Sequence, residues 1–125
     1  MRTRALAVTL ALACAAGCSN PLGEHWVVEP IHVDRVEVSL IETVPTQAAV
    51  RVTGVIGDSC AVVHSVRQER TANEVTVTIY RRRPLVAVCA QLALPYNDVI
   101  RLDGVFPPGS YVVRVNGVER AFTVP

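Results

Sequence analysis

The sequence predicts an all-β fold, an antiparallel sandwich of about seven strands that follows an N-terminal signal peptide. Apolar and polar residues alternate with period two in most segments after residue 32, and these segments are short and separated by turn residues. They are rich in Val and Thr, which favour strands, and none shows a helical period. We therefore divide the chain into a signal peptide (1–17), a tether (18–31) and a β-sandwich (32–125).

The composition is that of one folded domain. Half of the 125 residues are hydrophobic and 18% are charged, which supplies the apolar surface that disordered chains lack. The formal net charge is +1, and all twelve basic residues are Arg. A nucleic-acid-binding domain needs a strongly basic face, so we expect no nucleic-acid partner.

The first residues have the three parts of an export signal. Arg2 and Arg4 precede an apolar run from Ala5 to Ala13, and small residues follow. A helix that spans a bilayer needs about 20 apolar residues, so this run is too short to be a membrane anchor.

The end of the signal resembles the lipobox of bacterial lipoproteins. In Ala15–Cys18 the last three residues fit the motif, although Leu is commoner than Ala at the first position. The resemblance implies acylation of Cys18, cleavage before it and, with Ser19 next, anchoring to the outer membrane, or to the outer face of the plasma membrane in a single-membrane bacterium. Cys14 follows bulky Leu12 and is the poorer acceptor. The alternatives are a secreted, unlipidated protein cut by the ordinary signal peptidase and a Cys18 that pairs with another thiol.

The first predicted strands are 33–40, 48–56 and 60–69. Val36, Val38 and Leu40 lie on one face of the first strand. Val50 and Val52 form the apolar face of the second. In the third strand, we assign Val62 and Val66 to the apolar face.

The later strands are 73–80, 98–102, 110–115 and 118–124. The last two are joined by Asn116-Gly117, the dipeptide typical of a tight hairpin turn. A two-residue loop there places Tyr111 opposite Phe122 and Arg120 opposite Val113. Arg120 then falls on an apolar face, which an edge position or a nearby bulge would explain.

Residues 105–117 resemble the penultimate strand of immunoglobulin-like and fibronectin type III-like domains. Val105, Pro107 and Tyr111 occupy the places of an apolar residue, a Pro and a Tyr that packs at the corner of the sandwich. The resemblance implies an immunoglobulin-like fold, and a fold alone does not determine function.

Cys60 and Cys89 are predicted to form a disulfide. Exported proteins keep disulfides, and these two cysteines remain once Cys14 is removed and Cys18 is acylated. The alternative is a reactive thiol at Cys60 with His64 as its base, but four residues along a strand separate them by roughly 13 Å.

The charge run Arg81, Arg82 and Arg83 is a candidate contact for an anionic surface, such as lipid headgroups. A solvated turn is the favoured interpretation of this run. We expect Trp26 to cap the open end of the sandwich, and stacking on a ligand or a position at a membrane interface are its alternatives.

Catalytic and metal motifs are not evident in the sequence. The three His residues, His25, His32 and His64, lack metal-ligand spacing. Asp58, Asp98 and Asp103 are in turn-like contexts. We therefore expect no catalytic residues, metal or cofactor.

The favoured function is a non-enzymatic, lipid-anchored binding or structural module with a protein or envelope polymer partner. An inhibitor of cysteine proteases of the immunoglobulin-like chagasin type is an alternative, because Arg83-Pro84 matches part of one inhibitory loop. The Trp of that loop and the other inhibitory loop have no counterpart. A small hydrolase is the third class.

Overall fold

The computed structural model describes residues 25–125, which form strands and the segments that join them, with His25 before the first strand and Pro125 after the last. Signal peptide 1–17, Cys18 and residues 19–24 lie outside the described residues. Among residues 25–125 there is no helix with the length and apolar character needed to cross a bilayer. The strands are β1 (Trp26–Pro30), β2 (His32–Ile41), β3 (Gln47–Gly57), β4 (Val62–Thr71), β5 (Glu74–Pro84), β6 (Leu94–Arg101), β7 (Gly109–Val115) and β8 (Val118–Val124).

The strands form two sheets, which confirms the predicted all-β sandwich. Sheet A contains β1, β4, β5, β7 and β8, and sheet B contains β2, β3 and β6. In sheet A, β4 runs along one side of β5, while β7 and β1 lie end to end along its other side. The strand pairs are antiparallel, as predicted, except for β5 and β7, which are parallel.

The core lies between the sheets and consists mainly of Val. On β5, Val75, Val77 and Ile79 are at most 1% exposed, as the alternation of that segment predicts. Val50 and Val52 of sheet B are fully buried. No buried polar or charged residue occurs in the part of the chain that the structure describes.

The sandwich begins at Trp26, earlier than the predicted boundary at residue 32. Residues 26–30 were assigned to the tether, but they pair with residues 80–84 of β5. Ile31 is 3% exposed, and its N–H donates to the carbonyl of Ile79 at 3.0 Å. This strand brings the number to eight instead of about seven, and its five residues, which end in Pro30, show too little alternation to predict a strand.

The prediction that Val62 and Val66 share the apolar face of β4 is wrong. A bulge between Val63 and Ser65 places Val62 opposite Arg82 and Val66 opposite Ile79, on different faces. Both Val side chains are more than 40% exposed.

Polar side chains of β4 instead join the two sheets along one edge. Gln68 donates from Nε2 to the carbonyl of Arg101 and accepts at Oε1 from the N–H of Asp103, both at 2.8 Å. Arg70 donates to the carbonyl of Val105 at 2.7 Å, and its guanidinium lies 4.1 Å from the ring centre of Phe106. These contacts hold the β6–β7 connection against β4.

The β7–β8 hairpin has the predicted register. Tyr111 lies opposite Phe122 with their rings stacked at 5.4 Å, and Val113 lies opposite Arg120. The hydroxyl of Tyr111 donates to the carbonyl of Pro107 at 2.6 Å, the corner contact that such a Tyr makes in sandwich domains. Arg120 lies on an edge strand, and its Nε donates to the carbonyl of Val36 on the open edge of β2.

Asn116 fills the gap between β7 and β1 on the side of β5. Its φ of 45° and the φ of 87° at Gly117 fit the tight turn. Its Oδ1 accepts from the N–H of Ile79 at 2.8 Å, and its Nδ2 donates to the carbonyls of Ile31 and Ile79 at 2.9 and 3.0 Å. One side chain thus bonds both backbone groups of Ile79, at the point where neither β7 nor β1 pairs with β5.

Candidate functional site at the N-terminal pole

The predicted site residues of the described chain collect at one end of the sandwich. The ends of β3 and β5 and the starts of β1, β4 and β6 meet there. We call this end, residues 25–29, 56–63 and 81–94, the N-terminal pole. The β2–β3 connection and the β6–β7 connection lie at the opposite end.

The predicted disulfide is present. Cys60 and Cys89 are bonded, with their Cα atoms 5.6 Å apart. Next to the bond, the N–H of Ser59 donates to the carbonyl of Ala90 at 3.2 Å, and the N–H of Ala90 donates to Oγ of Ser59 at 2.8 Å. The bond holds the β3–β4 connection against the β5–β6 connection. The sulfur of Cys60 is therefore not a free thiol that His64 could activate as a nucleophile.

One group of metal-ligating residue types occurs among residues 25–125. It comprises Asp58, Cys60 and Cys89. Both sulfurs are in the disulfide, and a metal binds the thiolate form. The carboxylate of Asp58 is also engaged, since Oδ2 lies 2.8 Å from Nη2 of Arg83. In the oxidised protein these residues are therefore structural.

The three consecutive Arg residues have different environments. They belong to β5, so the favoured interpretation of a solvated turn is wrong. Arg81 and Arg83 have the same parity as buried Ile79 and point inward at the open end of the sandwich. Nη2 of Arg81 lies 2.8 Å from Glu29. Arg83 pairs with Asp58. Two of the three cations are thus neutralised within the domain.

Gly57 makes room for the guanidinium of Arg81. Nη1 of Arg81 donates to the carbonyl of Ile56 at 2.7 Å. A Cβ atom on residue 57 would overlap that nitrogen, and the φ of 145° at Gly57 is one that other residues rarely adopt. The Nε atoms of Arg81 and Arg83 are buried without a hydrogen-bond partner, which is consistent with side chains held in place by their terminal nitrogens.

Arg82 points outward and remains available. It lies opposite Val28 on β1 and Val62 on β4, and both of these side chains are close to half exposed. Its guanidinium lies 4.7 Å from the ring centre of Trp26. No acidic side chain of residues 25–125 forms an ion pair with Arg82. The predicted anionic-surface contact is therefore reduced to one residue of the three.

Trp26 does not cap the sandwich as expected. It lies in β1 opposite Pro84, with 39% of its surface exposed, and it is not among the core residues. Pro84 has the outward parity of Arg82, so the indole is on the outer face of sheet A.

The β5–β6 connection, which follows Arg82 along the chain, carries exposed apolar residues. Leu85 is held next to Trp26, because its N–H donates to the carbonyl of His25 at 2.8 Å. Leu85 is 62% exposed, Val86 90%, Val88 104% and Leu92 58%. This apolar surface could not be predicted from the sequence, because a Val-rich segment next to a Cys resembles a core strand.

The three Asp residues singled out from the sequence do not come together. Asp58 is in a turn, where its Oδ1 accepts from the N–H of Cys60 at 3.0 Å. Asp98 lies within β6, so its predicted turn position is wrong. Asp103 follows the end of β6 at the opposite end from Asp58. A pair of carboxylates for acid and base catalysis is not formed by these residues.

Comparison with known proteins identifies the domain. The model of the family called ORF11 beta-sandwich domain matches residues 50–124. An uncharacterized 10.2 kDa protein in the HgiCIIM 5′ region of Herpetosiphon aurantiacus is 30% identical over 89 residues, which cover 71% of this chain and 95% of the relative. The uncharacterized 10.2 kDa protein in the HgiBIM 5′ region of the same organism is 30% identical over 79 residues, with 63% and 96% covered. No solved structure matches the chain.

Proposed function

Because the chain belongs to the ORF11 beta-sandwich domain family and the relatives that it matches are uncharacterized, we propose its function from its own residues: a lipid-anchored, non-enzymatic binding module of the bacterial envelope. Cys18 carries the lipid, and the sandwich is held at the membrane surface. The outer membrane is the expected location, or the outer face of the plasma membrane in a bacterium with one membrane.

The disulfide is the observation that supports export. Disulfides persist in oxidising compartments and are rare in the reducing cytosol. Cys60 and Cys89 are bonded to each other, so Cys18 is the one cysteine of residues 18–125 that is left for acylation. The signal-like segment that ends in Ala-Gly-Cys supplies the second argument.

The environment of the reactive residue types supports a binding role over an enzymatic one. The Cys60 sulfur is in the disulfide, and Asp58 is paired with Arg83. The disulfide joins the β3–β4 connection to the β5–β6 connection, and the Asp58 carboxylate joins the β3–β4 connection to Arg83 of β5. Surface loops fixed on a rigid sandwich are a common way to present a contact surface.

Acylation is tested by comparing two cysteine variants in bacteria that are fed a labelled fatty acid. We expect the Cys18→Ala protein to lose the label and to leave the membrane fraction. The matched control is Cys14→Ala, which removes the other cysteine of the same region and is expected to remain labelled. Label that persists in Cys18→Ala would contradict the proposal, as would loss of label in Cys14→Ala alone.

A further inference from the structure

We propose that the N-terminal pole lies against the same membrane that holds the lipid anchor, with Arg82 on anionic phospholipid headgroups and the apolar residues around it in the interface. This inference rests on the proposed acylation of Cys18. It adds an orientation and a lipid contact to the anchored protein.

Apolar exposure is concentrated at this pole. Of the twelve exposed large apolar side chains among residues 25–125, eight belong to it. They are Trp26, Val28, Val62, Val63 and, in the β5–β6 connection, Leu85, Val86, Val88 and Leu92. Exposed apolar patches mark interaction surfaces, and Trp is enriched at the level of lipid headgroups.

The charge of the pole is complementary to an anionic bilayer. The acidic side chains Glu29 and Asp58 are neutralised by Arg81 and Arg83, which leaves the cation of Arg82. Residues 84–94 contain no charged side chain, so the connection can approach a bilayer without removing an ion from water. Basic residues near an anionic leaflet favour binding.

The chain between Cys18 and the domain is short, and this favours the bilayer as the partner that covers the exposed apolar surface. His25 is seven positions after Cys18, and an extended chain spans at most about 3.5 Å per position, so the pole is within roughly 25 Å of the anchored cysteine. The opposite end is farther away by the length of β3, about 35 Å for its 11 residues. A short tether that enters at the apolar end keeps that end next to the lipid.

Trp26 provides the measurement, because it is the single Trp of the chain. The acylated protein is reconstituted into vesicles of phosphatidylcholine and phosphatidylglycerol in which part of the lipid carries bromine in the acyl chain. The comparison is the same protein in vesicles of phosphatidylcholine alone that carry the same fraction of brominated lipid. We expect stronger quenching and a blue shift of Trp26 emission in the vesicles that contain phosphatidylglycerol. In the variant Trp26→Phe with Val44→Trp, the fluorophore is at the opposite end, on a fully exposed position, and we expect no quenching.

Charge reversal tests the headgroup contact. One basic residue at an anionic surface contributes about 1 kcal/mol, so Arg82→Glu should shift the docking equilibrium by about 2 kcal/mol, or roughly thirtyfold, towards the undocked state. The matched control is Arg101→Glu, which makes the same charge change on an exposed residue at the opposite end. We expect Trp26 quenching to fall in the first variant and to be unchanged in the second.

Mass spectrometry of the same preparation separates the two proposals. If Cys18 carries no acyl chain, both the proposed function and the docking are overturned. If Cys18 is acylated but Trp26 is not quenched, or is quenched no more than the fluorophore at position 44, the docking alone is overturned. Equal losses in Arg82→Glu and Arg101→Glu would overturn the assignment of Arg82.

Discussion

Substitution of Asn116 by Gly tests the finding that one side chain completes the hydrogen bonding of β5. Gly accepts the positive φ of the turn, so the backbone conformation is kept. Three hydrogen bonds to Ile79 and Ile31 are lost, and the side chains of both Ile residues are at most 3% exposed. At about 1 kcal/mol for each bond, the free energy of unfolding should fall by about 3 kcal/mol.

Two further variants separate the contribution of the turn conformation from that of the three Asn116 hydrogen bonds. Gly117→Ala has open space around the new methyl group, but it places an Ala at a φ of 87°, which costs roughly 1 to 2 kcal/mol without removing a hydrogen bond. Asn116→Asp keeps an acceptor for the N–H of Ile79, but it sets a carboxylate oxygen against two carbonyl oxygens. We therefore expect Asn116→Asp to cost at least as much as Asn116→Gly.

The measurement is urea unfolding of the chain 18–125 with Cys18→Ala and the disulfide intact, followed by Trp26 fluorescence and far-ultraviolet circular dichroism. Coincidence of the two transitions establishes two-state behaviour. An Asn116→Gly protein that unfolds at the wild-type midpoint with the same slope would refute the reasoning, as would a cost no larger than that of Gly117→Ala.

Two other predictions use the same assay. The double variant Cys60→Ala and Cys89→Ala should have a free energy of unfolding lower by roughly 3 to 4 kcal/mol, because it opens a loop of about 30 residues in the unfolded chain. An unchanged free energy of unfolding would contradict this effect of the disulfide on the unfolded chain. Burial, with a smaller contribution from Asp98, raises the pKa of Tyr96 above its ordinary value of 10.0. Above pH 10 the folded protein therefore retains a proton that the unfolded chain has lost, so stability falls as pH rises. Tyr96→Phe should reduce that slope, and an identical slope would contradict the assignment.

The strands could be predicted where alternation is complete. Val75, Val77 and Ile79 lie inside because polar residues separate them, and the Asn-Gly turn determines the register of β7 and β8. In β4, the bulge after Val63 exchanges the two faces, and nothing in the alternation of that segment marks it. The parallel pairing of β7 with β5 depends on contacts between distant parts of the chain. Local pattern carries no information on such contacts.

The same limit applies to Asn116 and Arg120. The sequence predicts a turn residue and an unexplained cation, and both act on strands that are distant along the chain. Asn116 bonds to Ile31, 85 positions away, and Arg120 bonds to Val36, 84 positions away. Each satisfies a backbone group that the sheet leaves without a strand partner.

The environments of Arg81, Arg82 and Arg83 could be predicted from the sequence in part. The inward parity of Val75, Val77 and Ile79 continues to Arg81 and Arg83, so alternation already separates these two from Arg82. Their acidic partners could not be predicted, since Glu29 comes from β1, which had been assigned to the tether.

The exposed apolar residues of the pole are the clearest case in which pattern and environment diverge. Val86 and Val88 have the alternation of a half-buried strand, yet they are 90% and 104% exposed. Burial of a Val side chain is favourable by about 1.5 kcal/mol or more. The domain does not bury these Val side chains, which lie at the N-terminal pole. A partner at that end would recover this free energy, and the membrane that we propose to hold Cys18 is within reach of the tether.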